Sequence, residues 1–258
     1  MSGSLGDVAR TGEARSGAGP VSGGRPERIA LGALDRAAAA ELPLRLAGAR
    51  LACFPTDTVY GVGGVLSPAS VAAVIAAKGR EEDKPLQVIF PNRELLLSAL
   101  SLGAQLTDVC LRLLPGPVTL VLPYPEDFVC PPPGEVVHEE RRPFGGRRRV
   151  VVRTLGVRVP RWPAPARLLE TLPFPLVASS ANRSGAPAPA SLAEVAPAIL
   201  AACDLALDGG PAGGVASSVV DFSRYAETGR WRVLREGAWS AAELAERLTR
   251  RRDDLPRV

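Results

Sequence analysis

A single histidine, His138, occurs in 258 residues, and it falls in a stretch crowded with prolines and charges. Neither a serine or cysteine triad with a histidine base nor a histidine-ligated metal is therefore expected. The four cysteines, at 53, 110, 130 and 203, are too widely spaced for a CxxC redox pair or a zinc pattern. Cys53, Cys110 and Cys203 have apolar neighbours and read as reduced core residues. No apolar run long enough to cross a membrane escapes a charge or a proline, so a soluble protein without membrane partners is expected. No G-x-x-x-x-G-K-[ST] is present, and Gly61-Val62-Gly63-Gly64 does not complete G-x-G-x-x-G, which excludes a standard phosphate loop. Met1 to Pro26 has little to bury and no secretory core, so residues 1–26 read as a disordered tail. Asp7, Glu13 and Glu27 weigh against a mitochondrial presequence, and a cytoplasmic location is expected.

What is present is apolar, at 46% of the chain, and mildly basic, with a formal charge of +4. The length suits one domain with tails. Arg141, Arg142, Arg147, Arg148 and Arg149 crowd into one segment, outside which the charges nearly balance. A solvated flank explains such a cluster at least as well as a nucleic-acid contact does. Around it, residues 124–149 show proline clusters and no period, which predicts a long irregular surface excursion.

Short apolar runs alternate with helical spacing along the rest of the chain. Leu51 to Phe54, Leu86 to Phe90, Val118 to Leu122, Val150 to Val159, Leu176 to Ala178, Leu205 to Leu207, Val219 to Phe222 and Trp231 to Leu234 read as strands. Ser67-Pro68 caps a helix whose Val71, Val74, Ile75 and Lys78 share a face. Ser191 with Glu194, and Ser240 with Glu243, have capping-box spacing. The interleaving predicts an α/β fold, a twisted mixed sheet with helices packed around it, over residues 27–240, and a C-terminal helix and tail over 241–258.

Polar groups recur where the apolar runs end. The stretch 53-CFPTDTVYGVGG-64 passes from a strand into Thr56, Asp57 and Thr58 and then into glycines. Lys78-Gly79-Arg80, Ser179-Ser180-Ala181-Asn182, Asp208-Gly209-Gly210 and Gly214 to Ser218 repeat the theme. Each alone is an ordinary turn or helix end. Together they suggest one ligand crevice beyond strand ends, suited to binding and orienting anions rather than to shuttling protons.

These residues resemble the YrdC-type L-threonylcarbamoyl-AMP synthases in their single-domain form. The matching elements are FPTDTVYG at 54–61, KGR at 78–80, DKPL at 83–86, LPGPVTLVL at 114–122, GVRVP at 156–160, SSAN at 179–182, DGG at 208–210, SSVVD at 217–221 and LREG at 234–237. They come in the family's order. The resemblance implies a basic central cavity and a reaction of L-threonine, bicarbonate and ATP that gives threonylcarbamoyl-AMP and pyrophosphate. The product is the first intermediate of threonylcarbamoyladenosine tRNA modification, passed to a separate transferase. Mg²⁺ is implied with ATP, held by phosphates and water without a protein metal site. Residue by residue, the resemblance implies that Lys78, Arg80, Ser180 and Asn182 are catalytic and bind ATP, with Thr154 and Arg235 as further ATP contacts. It implies that Thr56, Arg158 and Ser217 hold L-threonine. Two departures stand out, the long 124–149 excursion and Glu236 where many members have proline. The rival expectation is a non-catalytic RNA-binding paralogue, and weak RNA binding is compatible with either reading.

Overall fold

The computed structural model describes residues 25–79, 85–142 and 145–250, and among them builds one mixed sheet of eleven strands. In the first half β1 (Glu27–Ala30), β2 (Ala52–Phe54), β3 (Gly61–Val65), β4 (Gln87–Ile89) and β5 (Val118–Pro123) are interspersed with α1 (Arg36–Gly48), α2 (Pro68–Lys78), α3 (Arg93–Ala99) and α4 (Ala104–Leu113). The second half supplies β6 (Gly134–Arg141), β7 (Arg147–Arg158), β8 (Leu176–Ser180), β9 (Leu205–Asp208), β10 (Ser218–Asp221) and β11 (Arg232–Arg235), with the short helices α5 (Pro197–Ala201), α6 (Tyr225–Thr228) and α7 (Ala241–Thr249). Across the sheet the order is β1-β9-β2-β3-β8-β4-β7-β5-β10-β11, with β6 hydrogen-bonded to β7. The expected α/β class and twisted mixed sheet are what the chain forms.

The strands' period of two decides where the site can lie. Val177, Val88, Val157 and Leu120 are register partners across β8, β4, β7 and β5, and Val62 of β3, opposite Ser179, lies on the same face. That face is sealed by apolar side chains of α3 and α4 at one end, and by Val71 and Val74 of α2 with Ile199 and Leu200 of α5 at the other. The opposite face is covered near β2 and β9 by Leu42, Leu46, Trp162 and Leu169. Farther along the same face the register places Gly61 beside Ser180, and Gln87 and Ile89 beside Gly156 and Arg158. Ile89 still packs into that apolar layer, but Gly61, Ser180, Gln87 and Arg158 border a hollow beyond its edge.

Several elements were not legible in the sequence. β3 reads GVGGV, a composition strands normally avoid. Packing explains it, since a Cβ on Gly63 would run into the Val177 carbonyl oxygen, and one on Gly64 would lie 2.7 Å from Ser70 Oγ and 2.8 Å from the Arg50 carbonyl oxygen. The predicted excursion over 124–149 is corrected: from Gly134 the chain is the antiparallel hairpin of β6 and β7, in register from Gly134 opposite Thr154 to Arg141 opposite Arg147. Its alternation was hidden because both faces carry charge and the apolar marks are only the adjacent pairs Val136–Val152 and Val137–Val151, which point to opposite faces. Ser191 and Glu194 bond to each other, Oγ to Oε1 at 2.9 Å, yet open only a three-residue 3₁₀ turn. The Ser240–Glu243 capping box is complete. Cys53, Cys110 and Cys203 are buried thiols, and burial pushes all three pKa values up. Among the described residues no helix is long and apolar enough to cross a membrane.

Candidate active site

The TDT turn after β2 is organised around one hydroxyl. Thr56 Oγ1 donates to the Val59 carbonyl at 2.7 Å, accepts from the Thr58 and Val59 amides at 3.2 and 3.3 Å, and lies 3.0 Å from Thr58 Oγ1. Both threonines are buried, so this local network replaces the water they lose. The turn is also gripped from behind. Gly214 donates its amide to the Thr58 carbonyl at 2.7 Å, and the Tyr60 hydroxyl donates to the Gly210 carbonyl at 2.7 Å while accepting from the Gly209 amide at 3.2 Å. The DGG element therefore braces the turn. Burial pushes the Tyr60 phenol up to about 12.

Beside the turn, the last residue of β7 brings a buried charge. Arg158 Nη2 lies 2.7 Å from Asp57 Oδ1, with both side chains nearly covered. Burial lowers the Arg158 pKa against the pull of Asp57, and burial raises that of Asp57 against the pull of Arg158. Arg235, at the end of β11, reaches back to donate to the Ser217 carbonyl at 2.8 Å, and Ser217 Oγ shares a 2.9 Å hydrogen bond with Thr119 Oγ1. Gly237 lets this return happen, since a Cβ there would meet the backbone of Ala216 and Ser217.

Opposite, Lys78 at the C-terminus of α2 is only 4% exposed. Its ammonium donates to the Ser180 carbonyl, to the Asn182 carbonyl at 2.7 Å and to Asn182 Oδ1 at 3.4 Å. Lys78 thus fastens the SSAN turn from below.

These parts close around a cavity of about 380 Å³ lined by Thr56, Arg158, Ser180, Asn182, Ser217 and Arg235 together with Gln87, Val59 and Ile89. Six expected site residues, scattered over 180 positions of sequence, share one hollow. Lys78 stands behind the wall. Thr154 is buried two pleats along β7 from Arg158 on the same face, opposite Gly134, and does not line the hollow. Arg80 lies outside the described residues. Sequence reasoning passed over Gln87 and Thr119, although each is a polar residue interrupting an apolar run, a signal that was available in LQVIF and VTLVL. Asp57, for which the sequence suggested no ligand role, is the carboxylate that meets Arg158.

A mixed sheet with an open polar face, two guanidiniums and a ring of hydroxyls offers the donors that an anion would need. A family model, Sua5/YciO/YrdC, described as "Telomere recombination", matches residues 45–237, and the chain belongs to this family. It is 36% identical over 138 residues to the threonylcarbamoyl-AMP synthase of Pyrococcus abyssi, covering 53% of this chain and 36% of that protein. To the human threonylcarbamoyl-AMP synthase it is 33% identical over 169 residues, covering 65% and 53%. The chain thus spans between about a third and about half of the length of these curated relatives. Among solved structures, P. abyssi Sua5 complexed with L-threonine superposes with a TM-score of 0.64 at 28% identity, over 87% of this chain and 60% of that one. Escherichia coli YciO, at 17% identity and a TM-score of 0.64 over 84% and 98%, shares the fold.

Proposed function

We propose that this chain is an L-threonylcarbamoyl-AMP synthase. Bicarbonate and the amino group of L-threonine give a carbamate. A carbamate oxygen then attacks the α-phosphorus of ATP, the bond to the β-phosphate bridge breaks, and pyrophosphate leaves. The observation that carries this reading is the gathering of Thr56, Arg158, Ser180, Asn182, Ser217 and Arg235 into one hollow. The amino-acid end is the group of Arg158, Thr56 and Ser217, where a guanidinium can pair with the threonine carboxylate. The nucleotide end is Ser180, Asn182 and Arg235, with Lys78 placing its charge beneath the loop and Thr154 extending the same strand face. Arg80 joins them on the phosphates by its place in the KGR element.

Transfer at phosphorus asks a protein mainly for positioning and for neutralisation of developing charge, which guanidiniums, an ammonium and hydroxyls supply without a histidine. Among the described residues the lining offers hydroxyls and amides and no carboxylate, so Mg²⁺ fits here as a companion of the triphosphate, held by phosphate oxygens and water. Its contribution when bound is to neutralise phosphate charge. The synthase names of the relatives favour this reading over an RNA-binding paralogue. The adenylate is consumed by a transferase acting on tRNA, the implied downstream partner.

The deciding experiment is pyrophosphate release from ATP and Mg²⁺ with and without L-threonine and bicarbonate, using L-serine as the control amino acid. Release that needs both co-substrates supports the synthase. No release from folded protein would overturn it.

A further inference from the structure

We infer that Asp57 is a positioning residue for the amino-acid end of the cavity: its carboxylate holds the Arg158 guanidinium by one edge and keeps another N–H ready for an incoming carboxylate. This role rests on the synthase reading above. Three observations carry it.

First, both oxygens of Asp57 are already engaged within the fold. Oδ1 accepts from Arg158 Nη2 at 2.7 Å, Oδ2 accepts from the Arg161 amide at 3.1 Å, and the carboxylate lies behind Arg158 rather than on the cavity lining. Its two hydrogen bonds tie the TDT turn to the end of β7 and to the loop that follows. They fix both the reach and the rotation of the guanidinium.

Second, the pair leaves a donor unmet. Arg158 Nε is buried and finds no acceptor, the only such buried side-chain atom among the described residues. A buried N–H without a partner is costly. That N–H is itself closed off from the hollow, so it is the remaining edge of the guanidinium, which borders the cavity, that an incoming carboxylate can meet. The ligand class is an α-amino acid bound through its carboxylate.

Third, the turn does not need the Asp57 side chain to keep its shape. The Thr56 hydroxyl hub, the Gly214 amide on the Thr58 carbonyl and the Tyr60 brace already determine its backbone. Gly213 accommodates the Asp57 carbonyl, which would lie 2.7 Å from a Cβ at that position. The carboxylate is thus spared for electrostatics. Arg158 also feels the like charge of Arg235 across the hollow, and Asp57 offsets it. Without that offset, the guanidinium would turn towards whatever acceptor the cavity offers.

The test compares Asp57→Asn and Asp57→Glu with the parent chain. Asn keeps the size of the side chain and removes the charge. Asp57→Asn should raise the KM for L-threonine by about tenfold to a hundredfold, as expected when a buried charge pair loses one partner, while the KM for ATP hardly moves; the melting temperature should fall, because Arg158 is left buried without its counter-charge. Asp57→Glu restores the charge at a longer reach and should recover part of the loss. A threonine KM within about twofold of the parent in Asp57→Asn would overturn the inference, as would parallel rises in the threonine and ATP KM values, the mark of a merely structural residue. A second readout needs no turnover. The Arg158 Nε–H resonance, assigned by its loss in Arg158→Lys, should shift and exchange faster in Asp57→Asn, and an unchanged signal refutes the positioning role even if the parent releases no pyrophosphate. An inactive parent with the expected shift overturns the synthase reading alone.

Discussion

The groove beneath the β6–β7 hairpin encloses about 1370 Å³, against about 380 Å³ for the cavity around Arg158. The groove is also richer in arginine, with Arg149, Arg224, Arg230 and Arg232 on its walls. Its charges, however, are largely answered from within. Arg224 is held by Glu140 and Glu227, Arg232 lies 3.0 Å from Asp221, and His138 is hydrogen-bonded to Ser223, which in turn donates to Asp221. Among the described residues the small cavity is lined by arginines, hydroxyls and amides without a carboxylate, Asp57 sits behind Arg158, and Arg158 Nε has no acceptor. The difference teaches that neither size nor density of charge marks a site. What marks it is polar capacity that the fold has desolvated and left partly unused, because such groups are costly unless a ligand completes them.

Removing one arginine from each region gives the sharpest test. Arg158→Ala should reduce threonine-dependent pyrophosphate release by about a hundredfold, ~2.7 kcal/mol, whereas Arg149→Ala should change it by less than about twofold. Equal losses would break the comparison. Next in size, Lys78→Met and Arg80→Ala should each lower turnover by about tenfold, ~1.4 kcal/mol. Lys78→Met should also lower the melting temperature, because the Ser180 and Asn182 carbonyls lose their donor. If both variants keep the parent rate, neither residue belongs to the site.

The wall between the two faces can be probed at Gly63. Gly63→Ala sets a Cβ against Val177 and Ala178 and should cost about 1–3 kcal/mol in urea unfolding. An unchanged midpoint would show that β3 and β8 can spread apart.

A smaller effect follows from pH. Burial raises the pKa of the Cys110 and Cys203 thiols from 9.0 to about 12, and that of Tyr60 from 10.0 to about 12. The folded state therefore keeps protons that the unfolded chain releases. Stability is fully present below the unfolded values and falls as pH rises from 9.0 towards about 12. Melting temperatures across that range should drop, and less steeply in Cys203→Ala; an identical slope would deny Cys203 its share. Smallest of all, replacing residues 138–150 by a two-residue Asn-Gly turn, which keeps Val137 opposite Val151 and Gly134 opposite Thr154, should leave pyrophosphate release within about twofold. An inactive but folded product would make the hairpin part of the active machinery.

How much could be read beforehand depended on the range of the interaction involved. The capping of α2 by Ser67, the buried face of Val71, Val74 and Lys78, and most sheet strands were legible because apolar period and capping chemistry act within a few residues. The ordered short motifs likewise named six residues that meet in the cavity. β3 was not legible, because its glycines answer to Val177, Ser70 and Arg50 and not to any local propensity. Nor was the role of Asp57, whose partner stands 101 positions away.

The amino-acid sequence by itself determined the α/β class, the main apolar elements, the capped helix α2 and the chemistry available to the site: guanidiniums, hydroxyls and an ammonium, with histidine confined to the hairpin. Those are properties of composition and of near neighbours. Only the tertiary structure decided that Lys78 turns beneath the SSAN loop, that the arginine-rich segment forms a hairpin in which Arg147 pairs with Glu139 while Glu140 takes Arg224 from beyond β10, and that Asp57 and Arg158 meet with one N–H left over. Those outcomes depend on strand register, which sets facing side chains across the sheet, and on burial, which makes an unanswered charge or donor costly enough to matter.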